Sequence, residues 1–184
     1  MKEVEAYLNS FGKYVVQQAK SNLSKAKKNV SKKLYNSIKF KVVRKGDDYV
    51  LEFYMLNYGL FVDKGVSGKK KIQEYKTWDG RRIQSPFQFG TGSSKAPGGM
   101  SSIITKWVQQ RGFQWKNKET GKFMSHKSMG FIIARSIYRD GIKSLAFFQR
   151  PVGLGMKRFG KDLLSAIKQD VLNTLDKETI TQIN

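Results

Sequence analysis

Asp63, Glu74 and Lys76 are the residues of this chain whose types and spacing come nearest to a reaction. Metal-dependent nucleases of the Asp…Glu-x-Lys kind use two carboxylates to hold magnesium and a lysine to position the attacking water. Ten residues separate Asp63 from Glu74-Tyr75-Lys76, which fits that spacing loosely, and a basic protein would suit a DNA substrate. The pattern is short, however, and its Glu-x-Lys belongs on a core strand, whereas "IQEYKTW" lies in a polar stretch without periodicity. "LFVDKGVSGKKK" (60–71) invites comparison with a phosphate-binding loop. Such a loop needs two glycines four residues apart, then Lys, then a hydroxyl for magnesium. Gly65 and Gly68 are two residues apart, and Lys69 is followed by Lys70 and Lys71. No helix with an N-terminal dipole for a phosphate is expected after Lys71. The single histidine, His126, has no carboxylate near it in sequence and reads as a helix-entry residue. Neither "GTGSS" nor "MSS" has the Gly-x-Ser-x-Gly frame of a serine nucleophile. No nucleotide, metal or other cofactor is expected, and no catalysis.

The charge speaks more clearly than the motifs. The 184 residues carry a formal net charge of +21. Between Glu5 and Asp47 there are eleven Lys or Arg and no acid, and between Asp79 and Asp140 the only acid is Glu119. Acids return at Asp162, Asp170, Asp176 and Glu178. Such a field favours a polyanion or an acidic protein surface and opposes self-association through the basic faces. Hydrophobic residues make up 39% of the chain and aromatics 12%, enough for a core. The absence of cysteine excludes disulfides and thiolate zinc sites. "MKEVEAYLNSFGKYVV" lacks the apolar run of a secretory signal, and no stretch approaches the roughly twenty apolar residues of a membrane span. A soluble, cytoplasmically made protein is expected, with no membrane partner.

The elements that must position these residues follow from periodicity. Val4, Leu8, Phe11, Val15, Ala19 and Leu23 recur at three- and four-residue steps, which predicts an amphipathic helix to about residue 28 with a basic outer face. Ile38, Phe40 and Val42, a Gly46-Asp47-Asp48 turn, and Tyr49, Leu51, Phe53 and Met55 predict a β-hairpin. "NYGLFVDKG" continues the strand or forms a short helix closed by Gly65. From Lys69 to about Pro97 periodicity is lost, apart from a small hairpin at "TWDGRRIQ", so residues 69–99 are expected to be mobile until a partner orders them. A helix over 100–112 has Ile103, Ile104, Trp107 and Val108 on one face. A small excursion turns at Glu-Thr-Gly-Lys, and a helix over 125–142 turns Met129, Ile132, Ile133, Ser136 and Ile137 inward. "LAFFQRPV" is expected as a short extended segment. A last helix, about 156–177, aligns Phe159, Leu163, Leu164, Ile167, Val171 and Leu175. Trp78, Phe87, Phe89, Trp107, Phe113 and Trp115 interleave with Arg81, Arg82, Lys95, Arg111 and Lys116. Aromatics among cations can stack single-stranded bases, but at this spacing core packing is the expectation. The order of elements predicts one α+β domain, residues 1–184: an antiparallel, hairpin-based sheet packed by N- and C-terminal amphipathic helices, with a long loop-rich insertion at about 69–123.

Three pieces of this order resemble the neck and tail-completion (head–tail joining) proteins of tailed bacteriophages. Members of that family read an N-terminal helix, a Leu-x-x-Ser-Ile strand, a Tyr-Ala-x-Phe-Val-Glu-x-Gly-Thr element and a Pro-Phe-x-x-Pro-Ala close. Leu34, Ser37 and Ile38 match the first motif; Tyr58, Phe61, Val62, Asp63 (for Glu) and Gly65 match the second; Phe147, Phe148, Arg150 and Pro151 match the third. Ala146 stands where the third motif has its leading Pro, and the insertion exceeds what compact members carry. The resemblance implies a structural virion protein, made in the host cytoplasm, that forms a homo-oligomeric ring around the DNA channel. It would join neighbouring tiers, portal or adaptor on one side and tail tube on the other, with non-specific contact to packaged double-stranded DNA. Lys64, Lys69, Lys70, Lys71, Arg81 and Arg82 are then the candidate interface or DNA-facing residues. The alternatives are a basic nucleic-acid-binding protein and the nuclease built on Asp63, Glu74 and Lys76.

Overall fold

In the computed structural model, residues 2–26, 31–46, 48–90 and 99–182 are described, the side chains of 174–182 excepted. The first helix, α1 (Lys2–Lys25), buries Phe11, Gly12, Val15, Ala19 and Leu23, the stripe its spacing predicts. A five-residue helix, α2 (Lys33–Ser37), follows, so the Leu-x-x-Ser-Ile motif is not a strand: Leu34 is buried from a helical turn. The Ser37 hydroxyl closes that turn by donating to the Leu34 carbonyl at 2.8 Å, and it accepts the Leu56 amide. Strands β1 (Lys39–Lys45) and β2 (Asp48–Tyr54) form the expected antiparallel hairpin, with Phe40 opposite Phe53 and Val42 opposite Leu51.

The chain divides into two compact units, one of residues 1–59, 76–81 and 146–184, the other of residues 60–75 and 82–145. In the first, α1 packs on the hairpin and on the long helix α6 (Gln149–Gln182). Gly12 brings α1 against the hairpin: a Cβ there would fall 2.4 Å from the Phe40 ring. Phe159 of α6 stands among three rings of α1, with centroids 6.3, 5.9 and 5.3 Å from Tyr7, Phe11 and Tyr14. Further along, the Asp170 carboxylate accepts the backbone amides of Val4 at 3.0 Å and Glu3 at 3.3 Å. A helix begins with amides that have no partner in their own helix, so α6 supplies the cap that α1 lacks locally. "LAFFQRPV" is not extended. Phe147 is fully buried, and α6 starts at Gln149 with Pro151 in its first turn, where the missing N–H costs nothing.

The second unit begins within α3 (Tyr58–Lys64), a helix rather than a strand continuation, which Gly65 ends at φ +74°. β3 (Val66–Ser67) leads to β4 (Glu74–Lys76) and β5 (Arg82–Gln84), the small hairpin expected at the Asp-Gly turn. Helices α4 (Gly99–Arg111) and α5 (His126–Asp140) pack together, and β6 (Gly141–Ile142) closes the unit by pairing antiparallel with β3. Gly130 lets α4 and α5 approach, since a Cβ there would lie 2.1 Å from Thr105 Oγ1. Ser125 caps α5 by accepting the Ser128 amide at 3.1 Å. The inward face of α5 differs from the expected one: Met129, Gly130 and Ala134 are buried, while Ile132 and Ser136 are exposed. Ile103 of α4 is exposed as well, and Val108 alone of its predicted face is fully buried. The excursion between these helices exists, with a Lys116–Phe123 bridge and Asn117 Oδ1 accepting the Glu119 and Thr120 amides.

Candidate interface at the Asp63–Lys71 corner

The corner is built by glycines. Gly65 (φ +74°) and Gly141 (φ +81°) adopt a backbone conformation that side chains disfavour, and each lies against main chain. Between them the chain crosses itself closely. The Val66–Ser67 strand pairs with Gly141–Ile142, and Ser67 also exchanges backbone hydrogen bonds with Phe87 and Phe89, at 2.7 and 2.8 Å. Beyond Gly68, the amides of Lys69 and Lys70 donate to the last carbonyls of α5, Tyr138 and Arg139, both at 2.9 Å. On the other side of the corner, Ser144 Oγ donates to the Asp63 carbonyl at 2.5 Å, and the Leu145 amide to Val62 at 3.0 Å.

A second layer of polar side chains holds the crossing. Ser67 Oγ accepts the Gln73 amide at 3.0 Å, and Gln73 Nε2 donates to the Asp140 carbonyl at 2.6 Å. Ser85 Oγ donates to the Gly65 carbonyl at 2.7 Å. Ser67 and Gln73 are buried, and a buried polar group left unpaired costs about 1–3 kcal/mol, so these bonds fix the crossing. Residues 69–73 and 82–90 are therefore ordered by internal hydrogen bonds, against the expectation of mobility over 69–99; residues 91–98, Lys95 among them, lie outside the described part. Ser67, Gln73, Ser85 and Ser144 were not singled out in the sequence. Gly65-Val66-Ser67 is the one local signal among them, and pairing across some seventy residues is invisible to local periodicity.

The predicted cations separate by environment. Lys69, Lys70 and Lys71 project to solvent from a fixed backbone. Lys64 is half-buried, its Nζ 5.6 Å from the centroid of the Tyr75 ring. Arg82 is exposed on β5. Arg81 belongs to the other unit, where its Nε bonds Asp79 at 2.6 Å, which leaves less of its charge for a partner. Lys71 lies near Asp140, whose carboxyl is held below its ordinary range chiefly by the Arg139 guanidinium at 2.6 Å, with Lys71 a smaller contribution.

The residues of the nuclease pattern differ in environment. Glu74-Tyr75-Lys76 is a strand after all, but Tyr75 is its buried residue, so Glu74 and Lys76 face the opposite side. Asp63 is buried, at 1% exposure, whereas Glu74 is exposed. Among the described residues no group of three or more His, Asp or Glu could hold a metal ion. His126 opens α5, as expected. The aromatics expected in the core are more open than that: Trp78, Phe113 and Trp115 are exposed, and Phe87, Phe89 and Trp107 half-buried. No described helix is long and apolar enough to cross a membrane. Comparison of the chain with models of known protein families, with curated proteins and with solved structures finds no match.

Proposed function

We propose that this protein is a structural subunit of a phage neck or tail-completion ring, without catalytic activity, that joins neighbouring tiers around the DNA channel. One observation carries the reading. The stretch that matches the family's second motif, Tyr58 to Gly65, is hydrogen-bonded to the residues that lead into the third, Ser144 and Leu145, although some eighty residues separate them. Within unit two, the pairing of Val66–Ser67 with Gly141–Ile142 joins the two ends of the stretch that contains the insertion at about 69–123. An insertion whose ends meet can be added to a small core without disturbing it. The length that departs from the family pattern is thus accommodated at one point.

The lysines of the corner suit docking. Their backbone is fixed and their ammonium groups are exposed, so they present positive charge at little ordering cost to an acidic neighbouring subunit. Tight phosphate contacts would serve badly a channel through which DNA must slide. A second reading, a nucleic-acid-binding protein, draws on the excursion of unit two, where Trp115 and Phe123 are exposed and Lys116 Nζ lies 5.0 Å from the Phe123 ring centroid. The Lys69→Gln/Lys70→Gln/Lys71→Gln variant decides between them. On the docking reading it binds DNA as the parent does but fails to join heads to tails. On the nucleic-acid reading its joining is intact, and the slope of log affinity against log salt falls by about three units at most. A variant unaffected in both refutes the role given to the corner.

A further inference from the structure

The excursion between α4 and α5 is a two-stranded ribbon that nothing in the described chain covers: every residue from Gly112 to Phe123 is exposed. Lys116 and Phe123 face each other across it. They are bracketed by the Asn117 amide, which donates to the Lys122 carbonyl at 2.9 Å, and the Met124 amide, which donates to the Trp115 carbonyl at 2.8 Å. In such a pair the side chains stand close, and Lys116 Nζ lies 5.0 Å from the Phe123 ring centroid. The turn is held as well: the Gly121 amide donates to the Asn117 carbonyl at 2.9 Å, and Gly121 takes φ +65°. At the base, Phe113 stands against Trp107 of α4 with ring centroids 5.2 Å apart. Successive side chains of a strand point to opposite faces. Trp115, 41% exposed, therefore stands on one face of the ribbon, and Lys116 with Phe123, 63% exposed, on the other. Between Arg111 and Lys127 the chain has five cations, Arg111, Lys116, Lys118, Lys122 and Lys127, against the single acid Glu119.

We propose that this ribbon binds single-stranded nucleic acid, with Trp115 and Phe123 stacking on unpaired bases and Lys116, Lys118 and Lys122 meeting the phosphates between them. The inference goes beyond the ring reading and does not rest on it. On the docking reading the corner lysines leave nucleic-acid binding alone, so the contact assigned here is a separate surface. The ribbon offers what a single strand can use: π faces for bases and ammonium groups for the backbone. Its hydrogen-bonded strands and turn keep the ordering cost of binding low. The exposure of Trp115 removes the core role that its spacing suggests. Other partners of negative charge fit less well. An acidic protein surface would satisfy the lysines but leave aromatic rings in water on opposite sides. An anionic bilayer is flat and covers one face, so it buries Trp115 or Phe123 but not both. A duplex keeps the faces of its bases in the stack and presents only their edges in its grooves. A flexible single strand can pass round the ribbon and reach both rings. Stacking of this kind tolerates any base, so no sequence preference is expected.

Fluorescence anisotropy of a labelled thymidine oligomer of about 16 nucleotides tests this with the full chain at about 150 mM salt. Trp115→Ala and Phe123→Ala should each weaken binding roughly 5- to 100-fold, the loss of one stacked base, while Trp115→Phe keeps most of the affinity. Lys116→Gln/Lys118→Gln/Lys122→Gln should lower the slope of log affinity against log salt by about two units at most. The Lys69→Gln/Lys70→Gln/Lys71→Gln variant, with the same charge removed elsewhere, should bind the oligomer as the parent does. All these side chains are exposed, so parental circular dichroism is expected throughout. A duplex of the same length should bind more weakly and should not respond to Trp115→Ala. No binding by the parent, an affinity unchanged in both ring variants, or an equal loss in the corner variant overturns the proposal. So does a duplex bound as tightly as the single strand. Vesicles of phosphatidylserine and phosphatidylcholine are the last probe: vesicle binding that depends on Trp115 or Phe123, without oligomer binding, assigns the ribbon to a membrane surface and overturns it as well. The ring reading stands or falls separately, on the joining of heads to tails by the corner variant.

Discussion

Three glycines of the second unit separate the cost of backbone strain from the cost of crowding. Gly112 has φ +64° and nothing within 4 Å of a built Cβ, so Gly112→Ala tests conformation alone. A left-handed Ala costs about 1–2 kcal/mol, partly offset by about 0.4–1 kcal/mol from a less flexible unfolded chain, so the net loss is about 1 kcal/mol. Gly68 has no such φ, but its Cβ would lie 2.3 Å from the Arg139 oxygen and 2.5 Å from the Gly141 nitrogen. Both are main-chain atoms, and the neighbouring amides of Lys69 and Lys70 are bonded to the same strand of chain. Overpacking costs about 1–3 kcal/mol, and weakening one or two of those hydrogen bonds adds about 0.5–1.5 kcal/mol each, so Gly68→Ala should lose about 3 kcal/mol. Gly141 combines φ +81° with a Cβ position 2.2 Å from the Val66 oxygen, and should lose the most, about 4 kcal/mol. Urea unfolding in a Trp78→Phe background, with Trp107 and Trp115 as reporters, measures the series through its midpoints. The expected order of loss is Gly112, Gly68, Gly141. A Gly68→Ala midpoint equal to the parent's would refute the close crossing, and a Gly112→Ala loss as large as that of Gly141→Ala would make strain the whole effect.

Three further outcomes follow from named contacts. Burial pushes the Asp170 carboxyl up, but the Val4 and Glu3 amides outweigh it, and its pKa lies below the ordinary value. A depressed carboxyl stabilises the fold above its unfolded-state pKa, near 3.9, and loses that stabilisation as pH falls through the folded value. Asp170→Asn should therefore lower Tm at pH 7 but differ progressively less from the parent below about pH 4; a gap that is independent of pH would deny the charged cap. Phe147 is fully buried, and Phe147→Ala should cost about 3–5 kcal/mol, read by denaturant unfolding; a loss under about 1 kcal/mol would mean that the ring is not packed as described. The Lys69 and Lys70 amides should exchange slowly in the isolated subunit, more slowly than the exposed Gly121 region, and free exchange there would return the corner to a mobile loop.

Periodicity located every major helix and the hairpin, because a helix of two turns or more repeats its apolar face often enough to be counted. It failed where an element is short. Leu34 to Ser37 makes a single helical turn, and "LAFFQRPV" places Phe147 in the core from a turn before α6, so neither segment shows a period. The corner was legible only in part. Gly65 and Gly68 marked a place where backbone needs freedom, but the strand it meets, Gly141–Ile142, is two residues long and looks like the end of a helix. A two-residue strand is fixed by its partner, so no local pattern announces it.

The residues read as core but found open follow from a different cause. Leu164, Ile167 and Val171 lie on α6 with the same spacing as the buried stripe of α1, and Ile132 lies beside the buried Met129 in the same way. A periodic apolar face says that water is to be excluded from it; it does not say by what. Within one chain the two cases have the same sequence signature, and only the coordinates separate a face covered by its own fold from one left over. Scattered apolar side chains on a surface need no explanation, whereas a stripe on one helix is a pattern whose burial the local sequence does not decide. For α1 the excluding surface is the hairpin and α6. For α6 the pattern continues past Phe159 to Leu164, Ile167 and Val171, whose side chains are exposed, so the same spacing that marks a packed face in α1 does not mark one there.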